Sequence, residues 1–333
     1  MKKNIYIKNK NLSNKIRIDK YLYIFFFKKK ISRNKIQIHI YNKNILLNDK
    51  KTKKNKILKK NDKITIIYSK NKKTKNIDSN NILNIKIHYE DNNIIVINKQ
   101  PGQIVHPGYG NYNNTLINWL KYYINNKHIY NDFNYTYYRY GLLHRLDKET
   151  SGLLIIAKNI PTFNYIKKQF LTKTIKKEYY ALIWGIPKKK KDIIKNYIGR
   201  NKNNRIKMMV INNNKKKYGK YSITKYIILK TFKIFSLIKC KLKTGRTHQI
   251  RVHFKYIGHP IFNDKLYGGN KIPNIYIKYY KNSINYLFKI IPRHALHAYY
   301  LSYKDPITKN YKTLISKLPK DMTNGIKYLK NKL

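Results

Sequence analysis

Residues 140–158, YGLLHRLDKETSGLLIIAK, place one carboxylate, Asp147, two positions after a cation, Arg145, and directly before a polar turn, Lys148-Glu149-Thr150-Ser151-Gly152. The apolar run 153–157 that follows reads as a buried strand, so the acid is held at a strand edge. Acids are scarce in this chain, with 14 Asp and Glu against 74 Lys and Arg. Nearby positive charge favours the ionised form of a carboxylate, and an ionised carboxylate can act as nucleophile or general base. The same residue can also do no more than cap the turn, accepting from the amides near Glu149 and Thr150. Spacing by itself leaves both roles open.

The stretch HRLDKETSGLL resembles the signature of the RluA/RluD family of RNA pseudouridine synthases. The resemblance continues in DNNIIVINKQPGQIVHPG (91–108), KKEYYALIWG (176–185), KTGRTHQIRVHFKYIGHPIFNDKLYGG (243–269) and RHALHAYYLSYKDP (293–306). Five blocks in the family's order span more than half of the chain. The resemblance makes Asp147 the catalytic carboxylate and Arg251 the arginine that pairs with it. It makes Tyr179 the tyrosine that lies against the target base, with Tyr180 facing the other way as strand geometry requires. Arg145 matches a residue that occupies the space left by a flipped base, where a guanidinium plane can stack. His144 packs or hydrogen-bonds in the substrate cleft rather than doing chemistry, and Arg246 and Arg293 are candidates to hold phosphates. The other histidines, His248, His253, His259, His294 and His297, are read as packing or hydrogen-bonding groups.

The implied reaction cleaves N1–C1′ of uridine, turns the uracil and rejoins it through C5. No electron moves and no group is lost, so no cofactor and no metal are expected. The chain also lacks a glycine-rich phosphate loop and a zinc-ligand pattern. Whether the carboxylate adds at C1′ or removes the C2′ proton stays open. The sequence departs from the family at Lys99-Gln100-Pro101, where Lys-Pro is commoner, at Gln103 in place of an aliphatic, and at Glu149 in place of Asp.

With 333 residues and a formal net charge of +60, the chain can bury a large core and suits a polyanionic partner. Lys, Asn, Ile and Tyr are abundant together, as A/T-rich codons would give, so charge is weak evidence. The nine arginines tell more, since five of them (Arg139, Arg145, Arg246, Arg251, Arg293) fall in or beside the five blocks. Cys240 stands alone and sits in an apolar alternation, which excludes internal disulfides and predicts a core position. No apolar run long enough for a membrane span occurs, and MKKNIYIKNKN does not read as a secretory signal. A cytoplasmic monomer is the expectation.

Residues 14–68 read as a small separate module. Ile18, Tyr21, Leu22 and Phe25 fall at helical spacing, Ser32 can cap a second helix running to Ile40, 45–48 reads as a short strand ending in an Asn-Asp turn, and 63–67 reads as another strand. The module is similar to an S4 RNA-binding domain, which implies phosphate contacts from Arg17, Arg33 and Lys35. Residues 69–84 read as a linker, and 85–333 as the catalytic domain. There the sequence predicts strands at 94–98, 179–184, 221–229 and 235–243, and helices bearing Leu116, Trp119, Leu120 and Tyr123 and, after Pro161, Phe163, Ile166 and Phe170. Residues 125–138 read as a loop and 188–220 as an irregular basic segment. The expected fold is α+β: a mixed, mainly antiparallel sheet with a small S4-like α/β domain in front. The leading functional reading is a pseudouridine synthase acting on large-subunit ribosomal RNA. Its alternatives are a transfer-RNA enzyme of the same family and a non-catalytic RNA-binding or ribosome-assembly protein.

Overall fold

Ile5 and Ile7 bury themselves from the first residues of the chain, and the strand that carries the first of them, Lys2–Tyr6 (β1), sets one edge of a small sheet. After it come Ile18–Phe25 (α1), Arg33–Tyr41 (α2), Ile45–Leu47 (β2), Lys50–Lys51 (β3) and Lys63–Ile67 (β4). The computed structural model describes residues 2–7, 16–26, 33–67, 85–108, 111, 113–126, 139–211 and 218–332, and the chain divides into two units, 1–77 and 78–333. Ser32, the linker 69–84 and residues 127–138 of the expected loop lie outside the described residues.

In the first unit the strand order is β1-β4-β2-β3, with β1 antiparallel to β4. The unit therefore takes in residues ahead of position 14, where the sequence reading began it. Two isoleucines among lysines and asparagines are too short an alternation to stand out in a chain rich in all three. Asn48 and Asp49 both take positive φ, 50° and 58°, as a two-residue hairpin between β2 and β3 requires. Ile18, Tyr21 and Leu22 face inward from α1, but Phe25 is exposed and Phe26, just past the helix end, closes the core in its place.

The second unit runs Ile87–Glu90 (β5), Ile94–Lys99 (β6), Leu116–Asn126 (α3), Ser151–Ala157 (β7), Ile160–Leu171 (α4), Lys176–Trp184 (β8), Lys191–Arg200 (β9), Met208–Ile211 (β10), Lys220–Phe232 (β11), Phe235–Leu242 (β12), Gln249–Tyr256 (α5), Asn274–Ile290 (α6), Leu296–Lys304 (β13), Tyr311–Ile315 (β14) and Lys320–Lys332 (α7). One sheet carries its strands in the order β10-β9-β11-β12-β8-β13-β7-β6-β5, with β14 added to β13. Among the named strands, only β13 with β7 pairs in parallel. The expected α+β fold with a mixed, mainly antiparallel sheet is found.

The segment 188–220, expected to be irregular, instead holds β9 and β10. Ile194 and Ile198 of β9 point inward but Asn196 lies between them, so the period-two signal is diluted. Pairing with β11, from Ile198 opposite Lys220 to Lys191 opposite Ile227, supplies the order that side chains announce only weakly. At the centre the signal is strong. β6 and β7 are apolar on both faces: Ile95, Ile97, Leu154 and Ile156 join the larger core with α3, while Ile94, Val96, Leu153 and Ile155 face a second core with Ile166 of α4.

Gly152, the second residue of β7, lies opposite Ala298 of β13. Its φ is +115°, and a Cβ there would lie 2.2 Å from the Ala298 carbonyl oxygen and 2.7 Å from the Ala298 nitrogen. Both obstacles are backbone, so the strands must part to admit a methyl group. Gly152→Ala is expected to lower stability by about 2–4 kcal/mol, read from the urea midpoint.

Candidate active site

The chain ahead of Asp147 is fixed by alternate side chains. Leu142 and Leu146 enter the core, and between them the His144 ring, buried against Phe170 at 5.1 Å, accepts the Ile155 amide of β7 at its Nε2, 3.0 Å away. Burial holds His144 well below the ordinary histidine range, which keeps it an acceptor. His144 thus ties this segment to β7 while lining the cleft. Arg145, pointing the other way, is exposed at the cleft.

The turn after Asp147 is tied down from several sides. Its first bond is backbone to backbone, Thr150 N–H to the Asp147 carbonyl at 3.1 Å, so the carboxylate is not spent as the turn's cap. Lys99, fully buried at the end of β6, donates to the carbonyls of Gln100, Gln103 and Lys148 at 2.8–2.9 Å, using all three of its protons. Burial pulls Lys99 down to about 7. The family departures at Gln100 and Gln103 close on themselves: the Gln103 side chain accepts from the Gln100 amide, and the Gln100 side chain donates to the Asn98 carbonyl. From the β13 side, His294 bonds Thr150 and His297 bonds Ser151.

Arg293 corrects a sequence expectation. It is 5% exposed, forms a two-point pair with Asp321 of α7, and donates to the Glu149 carbonyl beneath the turn. An arginine spent on these partners braces the Asp147 turn from inside and holds no phosphate.

Asp147 opens into a cleft of about 540 Å³. Its Oδ2 accepts from Arg251 Nη1 at 2.9 Å, and Arg251, on α5, is itself 7% exposed. The rest of the Arg251 fork is held by Asp264, Nε to Oδ2 at 2.7 Å and Nη2 to Oδ1 at 2.8 Å, and its plane lies 5.0 Å from the Tyr267 ring centre. Burial opposes the charge on Arg251, but Asp264 and then Asp147 more than offset this, raising it above the ordinary arginine range. One carboxylate locks the guanidinium while its free corner holds the other. The sequence reading did not single out Asp264. Its scarcity value as an acid inside the block 243–269 was the available signal.

Tyr179 lines the cleft from β8 with 6% exposure. Burial, then the Asp147 charge, raises its hydroxyl well above the ordinary range, so it remains a phenol at neutral pH. Tyr180 faces away and stacks on Tyr299, centroids 3.8 Å apart and planes 9° apart. Lys177 lines the same cleft, pulled down to about 8 by burial. Arg246 is exposed at the rim, its Nε donating to the Tyr221 carbonyl at 3.2 Å. His248, read from sequence as a packing or hydrogen-bonding group, lines the cleft: its Nε2 is 3.8 Å from Asp147 Oδ1 and its Nδ1 is 2.8 Å from Tyr267 Oη.

Arg17 and Arg33 belong to the first unit, where both pair with Asp19, a fully buried carboxylate that also accepts from Gln37 at 2.6 Å. Lys35 lies in α2, with its side chain outside the described residues. Burial pushes the Asp19 carboxyl up, but the Gln37 bond and the two guanidiniums outweigh it and leave it below its ordinary 3.8. The folded state then binds fewer protons in acid than the unfolded chain. The stabilisation is complete above pH 3.8 and is lost as pH falls through the lowered folded value. Asp19→Asn is expected to cost about 1–3 kcal/mol at neutral pH and to flatten this acid dependence, read by hydrogen exchange of α1 and α2 amides.

Among the described residues there is no group of three His, Cys, Asp or Glu placed to hold a metal, and no helix long and apolar enough to cross a membrane. Residues 93–256 match the family model for RNA pseudouridylate synthase. The chain is 36% identical to an uncharacterized RNA pseudouridine synthase of Chlorobaculum parvum, over 92% of each chain. It is 39% identical to the ribosomal large subunit pseudouridine synthase D of Buchnera aphidicola subsp. Baizongia pistaciae, covering 95% of this chain and 93% of the relative. The solved structure of human RNA Pseudouridylate Synthase Domain Containing 1 aligns with a TM-score of 0.52 at 26% identity, covering 70% of this chain and 83% of that one. With similarity running almost end to end, and a charged cleft built around one carboxylate, the chain belongs to the RNA pseudouridine synthase family.

Proposed function

We propose that this enzyme isomerises specific uridines of large-subunit ribosomal RNA, with Asp147 as the carboxylate that opens the N1–C1′ bond. The observation that carries the role of Asp147 is its Oδ2 on the Arg251 fork at 2.9 Å, inside a cleft wide enough for a nucleotide. The relatives named for the ribosomal large subunit support the substrate. Arg251 holds the carboxylate's rotamer, so that Asp147 either adds to C1′ or removes the C2′ proton. Tyr179, a phenol at neutral pH, lies against the freed uracil and serves proton transfer at C5. Arg145 fills the space that the target base leaves in its helix, and Arg246 takes a phosphate at the rim. Residues 14–68 bind RNA as an S4-like module on the linker 69–84, with Arg17 and Arg33 presenting the charge that Asp19 leaves unneutralised and Lys35 adding to it. The enzyme works in the cytoplasm as a monomer and needs neither cofactor nor metal.

The test is pseudouridine mapping by carbodiimide chemistry on RNA from cells with and without the gene. Loss of signals in large-subunit ribosomal RNA is expected. Loss confined to transfer RNA would overturn the ribosomal assignment. Purified protein that binds ribosomal RNA yet isomerises nothing would make it a binding protein.

A further inference from the structure

The local bonding of His248 fixes which of its nitrogens carries the proton. Tyr267 Oη accepts the Met208 amide of β10 at 2.9 Å and lies 2.8 Å from His248 Nδ1. Burial raises the Tyr267 hydroxyl to about 12, so at neutral pH it is a phenol with one proton to give. Its Oη already accepts from Met208, and the acceptor beside it is Nδ1. The neutral ring therefore carries its proton on Nε2, which lies 3.8 Å from Asp147 Oδ1. This is too long for a direct hydrogen bond, and the other carboxylate oxygen, Oδ2, is already held by Arg251. A fixed donor facing a fixed acceptor across such a gap fits one oxygen that accepts from the first and donates to the second. A hydroxyl does both, whereas a carbonyl or phosphate oxygen only accepts.

We infer that the gap between His248 Nε2 and Asp147 Oδ1 seats the ribose 2′-hydroxyl of the target nucleotide, making His248 a specificity-determining residue for RNA over DNA. The inference rests on the reading that Asp147 acts at C1′ or on the C2′ proton. The 2′-oxygen is bonded to C2′, next to C1′, so a carboxylate that reaches either carbon has that hydroxyl beside it. The 2′-hydroxyl is also the group by which a protein separates the two nucleic acids at one nucleotide. His248 can be held this way because its backbone takes the left-handed conformation, φ 55°, at the start of α5, and because β10 reaches Tyr267.

The probes are large-subunit ribosomal RNA transcripts made with uridine, and the same transcripts made with 2′-deoxyuridine throughout. His248→Phe keeps an aromatic ring against Tyr267 and removes the donor. It is expected to lose about 10–100-fold in kcat/KM on the uridine transcript and to change by less than about twofold on the 2′-deoxy transcript. Tyr267→Phe, which frees the tautomer, is expected to shift the same ratio in the same direction by a smaller factor. The 2′-deoxy transcript is also measured as a competitor of the uridine transcript, so the comparison stands even where it does not turn over. Wild type should be inhibited more weakly by it than by unlabelled uridine transcript, and His248→Phe should make the two equal. Equal loss on both transcripts, or an unchanged preference, overturns the inference by reducing His248 to a structural role. Asp147→Asn is assayed beside them: turnover by that variant would overturn the reading underneath, whereas an inactive Asp147→Asn with an unchanged His248→Phe preference overturns only the 2′-hydroxyl assignment.

Discussion

Asp147→Asn should fold normally and form no pseudouridine, with a loss on the order of 10⁴-fold or more in the rate of tritium release from RNA labelled at uridine C5. The amide keeps the size of the side chain and an oxygen for Arg251, but it is neutral. A neutral amide neither adds to C1′ nor takes a proton from C2′, so both routes close together. Stability should barely change, because Arg251 keeps its two bonds to Asp264 and Thr150 still bonds the backbone carbonyl of residue 147. A variant within tenfold of wild type would remove Asp147 from the reaction. A variant that failed to fold would mean that the carboxylate is structural.

Arg251→Met carries the largest combined effect. Asp264 is fully buried, and apart from Arg251 it is met by the amides of Leu266 and Tyr267 at 3.1 and 3.2 Å. Removing the guanidinium strands that charge in the interior and is expected to cost about 3–5 kcal/mol in urea unfolding. Activity should fall by about 10²–10³-fold at a temperature where the variant is still folded, because Asp147 loses the contact that sets its rotamer. The double change Arg251→Met with Asp264→Asn separates the two effects. Taking away the stranded charge should restore much of the stability and none of the activity. Recovery of both would show that Arg251 acts only by supporting the fold.

That Asp147, Tyr179 and Arg251 share one cleft was legible because they sit in recognisable blocks and because acids and arginines are rare enough here for each to carry information. Central strands were legible for a different reason: β6 and β7 are buried on both faces and so read as unbroken apolar runs. Legibility failed where partners are distant in sequence. Nothing near Arg293 announces Asp321, and nothing near Arg33 says that it joins Arg17 on Asp19, which lies 14 positions back in the chain. β9 was hidden because lysine and asparagine occupy positions that a typical strand would fill with valine or threonine, and β10 because its apolar run is only 4 residues long. His248 was legible only as a packing or hydrogen-bonding group, since its partners are Tyr267 and, through it, a backbone amide of β10. In a composition this skewed, apolar periodicity marks the interior well, while polar residues gain meaning only once their contacts are known.

The turn bearing Asp147 is fastened to Lys99 on one flank and to Arg293, His294 and His297 on the other. A group anchored that firmly has nowhere to travel when a nucleotide arrives. Adjustment must then come from the nucleic acid, whose uracil has to swing out and bring its sugar to a stationary oxygen. Preference among uridines should accordingly track how cheaply each one quits its helix, so that loosely stacked or unpaired positions react first and tightly paired ones hardly at all.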